Sequence, residues 1–387
     1  MQWELDESQR LFRDTARAWV RAELPKAWCR ELERREDEFP HALWDKLTGF
    51  GAHGIGVPEE LGGQGGTIVE QVLFARELAR HAAGLGWAWG VTSFSGAKAL
   101  ASCGSAAQQA RFLPPLARGE LKTAMSFTEP GGGTDLLGGM RTRARRVEGG
   151  WILDGEKTWS TGASVADYLF LMARSEARGA RRSGGVTLFF VPRGSKGITV
   201  TALPKLGMRA VSSCSVRLEE VFVPDELVLD EPGRGWYASV RTLNTERLMN
   251  AAFCLGMLDG VLEDALEHLK TREAFGKRIG QFQVLQHYVA DIAMWQKQGE
   301  LLVHQTAAMQ AAGQETALES NIAKTVCSDY AGRAADLGIQ ILGGMGYSAE
   351  TDMQRYWRDS RLLRIGPVSN EMARNLIAES LGLPRSF

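Results

Sequence analysis

Phe127-Thr128-Glu129-Pro130-Gly131-Gly132-Gly133-Thr134-Asp135 is the stretch on which the reading of this chain turns. Three consecutive glycines permit left-handed or tightly turned backbone that a side chain would forbid. A loop of this kind can present bare backbone N–H groups to an anion or a flat polar ring. The hydroxyls of Ser126, Thr128 and Thr134 add donors at short range. A lone glycine-rich loop is equally the composition of a solvated turn, so the flanking sequence decides between the two.

On the N-terminal side the chain reads as helices to about residue 120. Leu11, Ala18 and Leu24, with Phe12, Trp19 and Val20 beside them, recur at helical spacing among charges. A helix over roughly Pro40 to Phe50 precedes a loop, Gly51 to Gly66, that carries seven glycines. Helices resume over Thr67 to His81 and Val91 to Ser102, and Pro114-Pro115 closes the section. On the C-terminal side the period changes to two. Arg141 to Val147, a Glu148-Gly149-Gly150 turn and Trp151 to Asp154 form a strand-turn-strand signal. Tyr168 to Ala173, Val186 to Val191, Ile198 to Ala202 and Ser215 to Val221 continue it. From about Gly235 the helical period returns, with Leu248, Ala252, Leu255, Leu258, Leu262, Ala265 and Leu269 forming one apolar stripe. Val284 to Gln310, Ala317 to Leu337 and Asn370 to Ser380 complete four helices. The expected fold is α+β, mainly α. It has an N-terminal helical domain (1–120), a middle β-barrel-like domain (121–233) and a C-terminal four-helix bundle (234–387).

Composition excludes several classes. Of 387 residues, 44% are apolar and 24% charged, which is globular rather than disordered. The formal net charge of −1 gives no electrostatic case for nucleic acid or an anionic membrane surface. The basic runs Arg141 to Arg146 and Arg178 to Arg182 read as solvated faces. Five scattered cysteines and six dispersed histidines show no metal-ligand spacing, so no metal site is expected and reduced thiols are. The opening residues lack a signal-peptide pattern, and no apolar run approaches the ~20 residues that span a bilayer. A cytoplasmic protein is the expectation.

Three further motifs follow in order: Gly155-Glu156-Lys157-Thr158-Trp159-Ser160-Thr161-Gly162, Arg272-Glu273-Ala274-Phe275-Gly276-Lys277-Arg278-Ile279-Gly280-Gln281-Phe282-Gln283 and Gln340-Ile341-Leu342-Gly343-Gly344-Met345-Gly346-Tyr347. Together with the opening stretch they closely resemble the acyl-CoA dehydrogenase flavoprotein family over essentially the whole chain. The resemblance implies FAD bound against the β-domain, with part of its site supplied by a neighbouring subunit of a homotetramer. It places Phe127, Thr128, Thr134, Trp159 and Thr161 around the flavin ring, where an aromatic wall and fixed donors tune the cofactor. Arg272, Phe275 and Gln283 match positions that hold the pyrophosphate and adenine portion across the interface. Gln340, Gly343 and Gly344 match a second segment on the partner's FAD. Taken singly, each residue also has a plain structural reading: Trp159 as core, Arg272 as a solvated charge and the glycines as a helix stop.

The family's reaction is α,β-dehydrogenation of an acyl thioester, in which a carboxylate removes the α-proton. Many members place that glutamate in a loop reading Glu-Gly-Thr-x-Glu. Here the matching segment is Pro367-Val368-Ser369-Asn370-Glu371, with Ser369 and Glu371 at flavin-contacting positions. Pro367 has neither a carboxylate nor a backbone N–H. In the family that N–H helps hold the thioester carbonyl, and loss of one such donor costs ~3 kcal/mol of transition-state stabilisation. Glu246 is the replacement candidate, because members resembling isovaleryl-CoA and long-chain dehydrogenases carry their base on the long helix just before an arginine. Arg247 then matches a position near the CoA portion of the substrate. Burial would raise the Glu246 pKa, whereas a helix N-terminus and Arg247 would lower it. The alternative for Glu246 is a first-turn glutamate that stabilises the helix dipole.

The leading expectation is therefore an FAD-dependent acyl-CoA dehydrogenase that passes electrons to an electron-transfer flavoprotein. The alternatives keep the fold: an enoyl-thioester reductase resembling crotonobetainyl-CoA reductase, a carrier-protein-bound acyl oxidase, a flavin monooxygenase, or a non-catalytic flavin-binding subunit. Trp87 and Trp89 lie where bulky rings would shorten an acyl pocket, although both also read as helix-packing residues.

Overall fold

The computed structural model describes residues 4–35, 39–176 and 183–385, and the basic run Arg178 to Arg182 lies outside them. Helix α1 (Glu7–Glu23) starts at a capping box between Asp6 and Gln9. Its inward stripe is Phe12, Ala16, Trp19 and Val20 rather than the expected Leu11 and Ala18, which face solvent. Helices α2 (Lys26–Glu33) and α3 (His41–Phe50) follow. A second capping box, Thr67 with Glu70, opens α4 (Ile68–Ala82), which is buried on almost every side. The Gly51–Gly66 loop folds back on itself so tightly that a Cβ at Gly63 would lie 2.0 Å from the Val57 carbonyl oxygen.

After α4 a π-helical turn, Gly90–Gly96, leads into α5 (Ala97–Cys103) and then α6 (Ala106–Ala117). The Pro114-Pro115 pair lies inside the last turn of α6 rather than closing the helical section. The Ser105–Gln108 capping box secures the start of this helix, and prolines this near its end forfeit only the final bonds. Trp89 is core: fully buried, it donates from Nε1 to the Ala52 carbonyl at 2.9 Å. Trp87 is half-buried, edge-on to Phe253.

The sheet comprises β1 (Thr123–Ser126), β2 (Arg143–Val147), β3 (Gly150–Thr161), β4 (Tyr168–Arg174), β5 (Val186–Pro192), β6 (Ile198–Leu203), β7 (Ser213–Pro224) and β8 (Val228–Leu229). Its order is β6-β7-β3-β2-β4-β5-β8, with β1 parallel to β4. Strands β4 and β5 are covered on both faces, so they read as continuous apolar runs, whereas β6 is only partly covered.

Helix α7 (Gly235–Thr271) is the axis of the C-terminal region. Every residue from Arg247 to Val261 is buried, because α4, α8 (Gln283–Ala311) and α9 (Ala317–Leu342) pack around it. A helix wrapped on all sides needs no polar face. Helices α10 (Met353–Leu363) and α11 (Asn370–Ser380) make five of eight or more residues here, one more than expected. The additional helix, α10, lacks an apolar stripe: its buried side includes Arg355, Tyr356 and Asp359. Arg355 pairs with Asp352 and donates to the carbonyls of His81 and Ala82.

The Asp359 carboxylate accepts from the backbone N–H groups of Gly84 (2.8 Å) and Met208 (2.6 Å), so one side chain joins the N-terminal, middle and C-terminal regions. We expect Asp359→Ala to strand both donors and to cost about 2–4 kcal/mol, read as a lower denaturant midpoint. An unchanged midpoint would show that water satisfies these donors.

Candidate functional site

The glycine-rich stretch is held from one side by a buried ion pair. Glu129 accepts from the backbone N–H of Arg141 (2.6 Å) and Thr142 (3.0 Å), and from Lys157 Nζ at 2.7 Å. Lys157 is fully buried and also donates to the Phe127 carbonyl at 3.3 Å. Burial pushes the Glu129 pKa up, but the Lys157 charge and the donated hydrogen bonds outweigh it and hold the carboxyl below its usual range. Burial lowers the Lys157 pKa to about 8 against the pull of Glu129. A backbone bond from Thr158 N–H to the Thr128 carbonyl at 2.9 Å completes the link between the first two motifs.

The three glycines do not adopt the left-handed backbone that their composition allows. They form a tight turn closed by Gly132 N–H on the Glu129 carbonyl at 3.0 Å. Gly131 and Gly133 are exposed, and nothing lies within 4 Å of where their Cβ atoms would be. Trp159 stands nearby on β3, at a register shift between Lys157 and Ser160 that re-aims the strand. Its φ is +58°, and 57% of it is exposed. A bulky residue in left-handed backbone is strained by roughly 1–3 kcal/mol, and an indole more than half exposed buries little that offsets this in the single chain. The core reading of Trp159 is thereby corrected. Thr134 is exposed, Phe127 and Thr128 are half-buried, and Thr161 reaches Ser213 Oγ at 3.4 Å. Ser126 and Ser160 bury hydroxyls without a protein partner. An aromatic face, open backbone and spare hydroxyl donors fit a flat polar ring such as a flavin.

Glu246 lies on α7 as its twelfth residue, so neither the first-turn reading nor a dipole effect applies. Burial pushes its carboxyl up to about 7, against the Arg247 charge and a hydrogen bond with Ser95 of the π-helical turn. Arg247 is buried, donates to Asn244 Oδ1 at 2.7 Å and has an unpartnered Nε. Asn250, one turn beyond Glu246 on the same face, donates from Nδ2 to the Gly366 carbonyl at 2.7 Å. The Pro367 loop is thus docked against the helix wall that carries Glu246. Ser369 caps α11, Glu371 sits exposed in its first turn, and Val368 has φ +83°.

The remaining candidates do not join this site within one chain. Arg272 caps the far end of α7, 26 residues beyond Glu246, which at 1.5 Å per residue is about 39 Å. Phe275, at the tip of the Glu273–Arg278 hairpin, is 94% exposed with φ +52°. Gln283, Gln340, Gly343 and Gly344 are exposed as well. Sequence reasoning missed Ser95, Asn250 and Lys324, and it named Glu129 and Lys157 only inside their motifs. For Lys157 a signal existed: it shares the inward parity of Trp151 and Leu153 along β3.

Among the described residues no group of His, Cys, Asp and Glu is placed to hold a metal, and no helix is long and apolar enough to cross a membrane. All five cysteines are free and buried.

Family models for the N-terminal, middle and C-terminal domains of acyl-CoA dehydrogenases match residues 6–120, 124–221 and 233–382. The mitochondrial isovaleryl-CoA dehydrogenase of Arabidopsis thaliana is 34% identical over 340 residues, covering 88% of this chain and 82% of that protein. The structure of butyryl-CoA dehydrogenase from Megasphaera elsdenii superposes with a TM-score of 0.93 at 29% identity, over 99% of this chain and 100% of the other. The prolyl acyl carrier protein oxidase AnaB superposes with a TM-score of 0.92 at 25% identity, over 98% of this chain and 100% of the other.

Proposed function

The chain belongs to the acyl-CoA dehydrogenase family, and from that premise we propose that it oxidises a saturated acyl thioester to the α,β-unsaturated product with Glu246 as the base. The observation that carries this reading is a carboxyl poised at about 7, mid-helix, beside a loop whose residue 367 is proline. A base with a pKa near the operating pH is well matched to taking an α-proton and releasing it again. The family's cofactor is FAD, which when bound supplies the acceptor for the hydride leaving the β-carbon. Trp159, the glycine turn and the threonine hydroxyls would hold and orient its ring. Ser95 and Arg247 stabilise the ionised carboxylate before the proton moves.

The distance of about 39 Å between Glu246 and Arg272 supports a homo-oligomer, a tetramer in this proposal, in which Arg272, Phe275, Gln283 and Gln340–Gly344 serve a neighbouring site. An electron-transfer flavoprotein is the proposed acceptor, and the cytoplasm the proposed compartment. A second reading, oxidation of a carrier-bound acyl group, draws on Pro367 and on the likeness to AnaB. Anaerobic titration of the yellow holoprotein with a panel of acyl-CoAs decides between them. Bleaching by a saturated acyl-CoA supports the first reading. Bleaching by acyl-carrier protein alone replaces it with the second.

A further inference from the structure

We infer that Lys324 is a positioning residue for this reaction: its ammonium holds the loop Gly366–Ser369 in a strained form against the helix wall that carries Glu246. The turnover part of this inference rests on the dehydrogenation reading above, whereas the loop-holding part stands without it. Lys324 lies within α9 and is fully buried. Its Nζ donates to the Val368 carbonyl at 2.7 Å and to Asn370 Oδ1 at 2.6 Å. From the other wall, Asn250 of α7 donates to the Gly366 carbonyl at 2.7 Å and to the Leu363 carbonyl at 3.4 Å. The carbonyls on both sides of Pro367 are therefore tied down, one by α7 and one by α9. Asn370 is fixed in turn, since its Nδ2 donates to Ser328 Oγ and Asp329 Oδ1, both at 3.0 Å.

Between these anchors Val368 adopts φ +83°, left-handed backbone that a β-branched residue avoids when free. The restraint comes from outside the loop, and the Lys324 bond to the Val368 carbonyl is the direct one. Both acceptors of Lys324 are neutral, so its charge is used to strengthen hydrogen bonds rather than to neutralise a carboxylate. The titratable groups that face it are Cys254 and Arg247 from α7, Asp329 from its own helix and Glu371 from α11. Burial pulls its pKa down to about 8, with Cys254, Asp329 and Glu371 opposing and Arg247 assisting. Loss of the proton weakens both bonds and frees the strained loop, which places an alkaline limit on turnover.

The test uses holoenzyme variants Lys324→Gln, which removes the charge, and Lys324→Arg, which keeps a cation at every accessible pH. Without substrate, Lys324→Gln should raise amide hydrogen exchange across residues 364–372 about tenfold and leave residues 248–258 nearly unchanged. In single-turnover bleaching it should lower the rate about 30-fold with substrate affinity little altered. The alkaline limb near pH 8 should vanish from the Lys324→Gln profile and move upward in Lys324→Arg. Unchanged loop exchange in Lys324→Gln, or a limb that stays near 8 in Lys324→Arg, overturns the proposal. If the wild-type flavin is not bleached by any thioester, the dehydrogenation reading falls and the exchange comparison alone decides. If Lys324→Gln does not fold, wild-type exchange decides: protection of residues 364–372, corrected for intrinsic rate, should drop as pH passes 8, and constant protection overturns the proposal.

Discussion

Replacing Glu246 with glutamine should lower the rate of flavin bleaching by saturated acyl thioester by about 10³-fold, within the range that general-base catalysis supplies. The amide keeps the volume and the contact with Ser95 but cannot take a proton. Thioester binding should persist, so the loss belongs in the chemical step rather than in affinity. The same substitution should stabilise the protein at neutral and alkaline pH. Glu246 has its folded pKa raised from 4.5 to about 7, so across that window the folded state holds a proton that the unfolded chain has released. Stability therefore falls as pH rises through the window, by roughly 3 kcal/mol once both states are ionised. Glutamine carries no such penalty. Wild-type kcat/KM should in turn rise as pH passes 7, where the free enzyme's base ionises. A Glu246→Gln variant with undiminished bleaching would move the base elsewhere and remove this mechanism.

Glu246 was legible in sequence only through the Glu-Arg pair, and its surroundings were not. Periodicity placed the return of helix at about Gly235, as the structure has it, but the apolar stripe begins only at Leu248, so nothing in the pattern fixed where the first turn lay and the first-turn reading of Glu246 stayed open. The sheet was legible because β4 and β5 are apolar runs and β3 alternates. Strand β1 escaped notice because its four residues are too few to show a period. Helix α10 escaped for a different reason: its packing is carried by Arg355, Tyr356 and Asp359, residues that a hydrophobic pattern scores as surface. The polar anchors of the Pro367 loop share that difficulty. Asn250 and Lys324 sit in helices whose neighbours are apolar, and only their three-dimensional partners show that they are bonded.

Breaking the Glu129–Lys157 pair is expected to be the larger structural injury. Lys157→Met leaves the Glu129 carboxylate buried with two backbone donors and no counter-charge, whereas Glu129→Gln leaves a fully buried ammonium facing neutral oxygens. Either change should cost about 3–5 kcal/mol, the usual penalty for leaving one buried charge uncompensated. The double variant should cost less than the sum of the singles, because it removes both charges from the interior. The Glu129 carboxyl is held below its ordinary pKa, so its contribution is present above that value and is lost as pH falls through the depressed one. Glu129→Gln should accordingly flatten the acid side of the stability profile. Function follows from the geometry: this pair clamps the glycine turn to the strand shift that displays Trp159, joining two residues that lie 28 positions apart in the chain. With the clamp released, the strained φ of Trp159 can relax, and each single variant should lose FAD on gel filtration before its global unfolding midpoint is reached. Retention of flavin up to that midpoint would mean that the two segments hold their geometry independently, and that the ion pair contributes to stability alone.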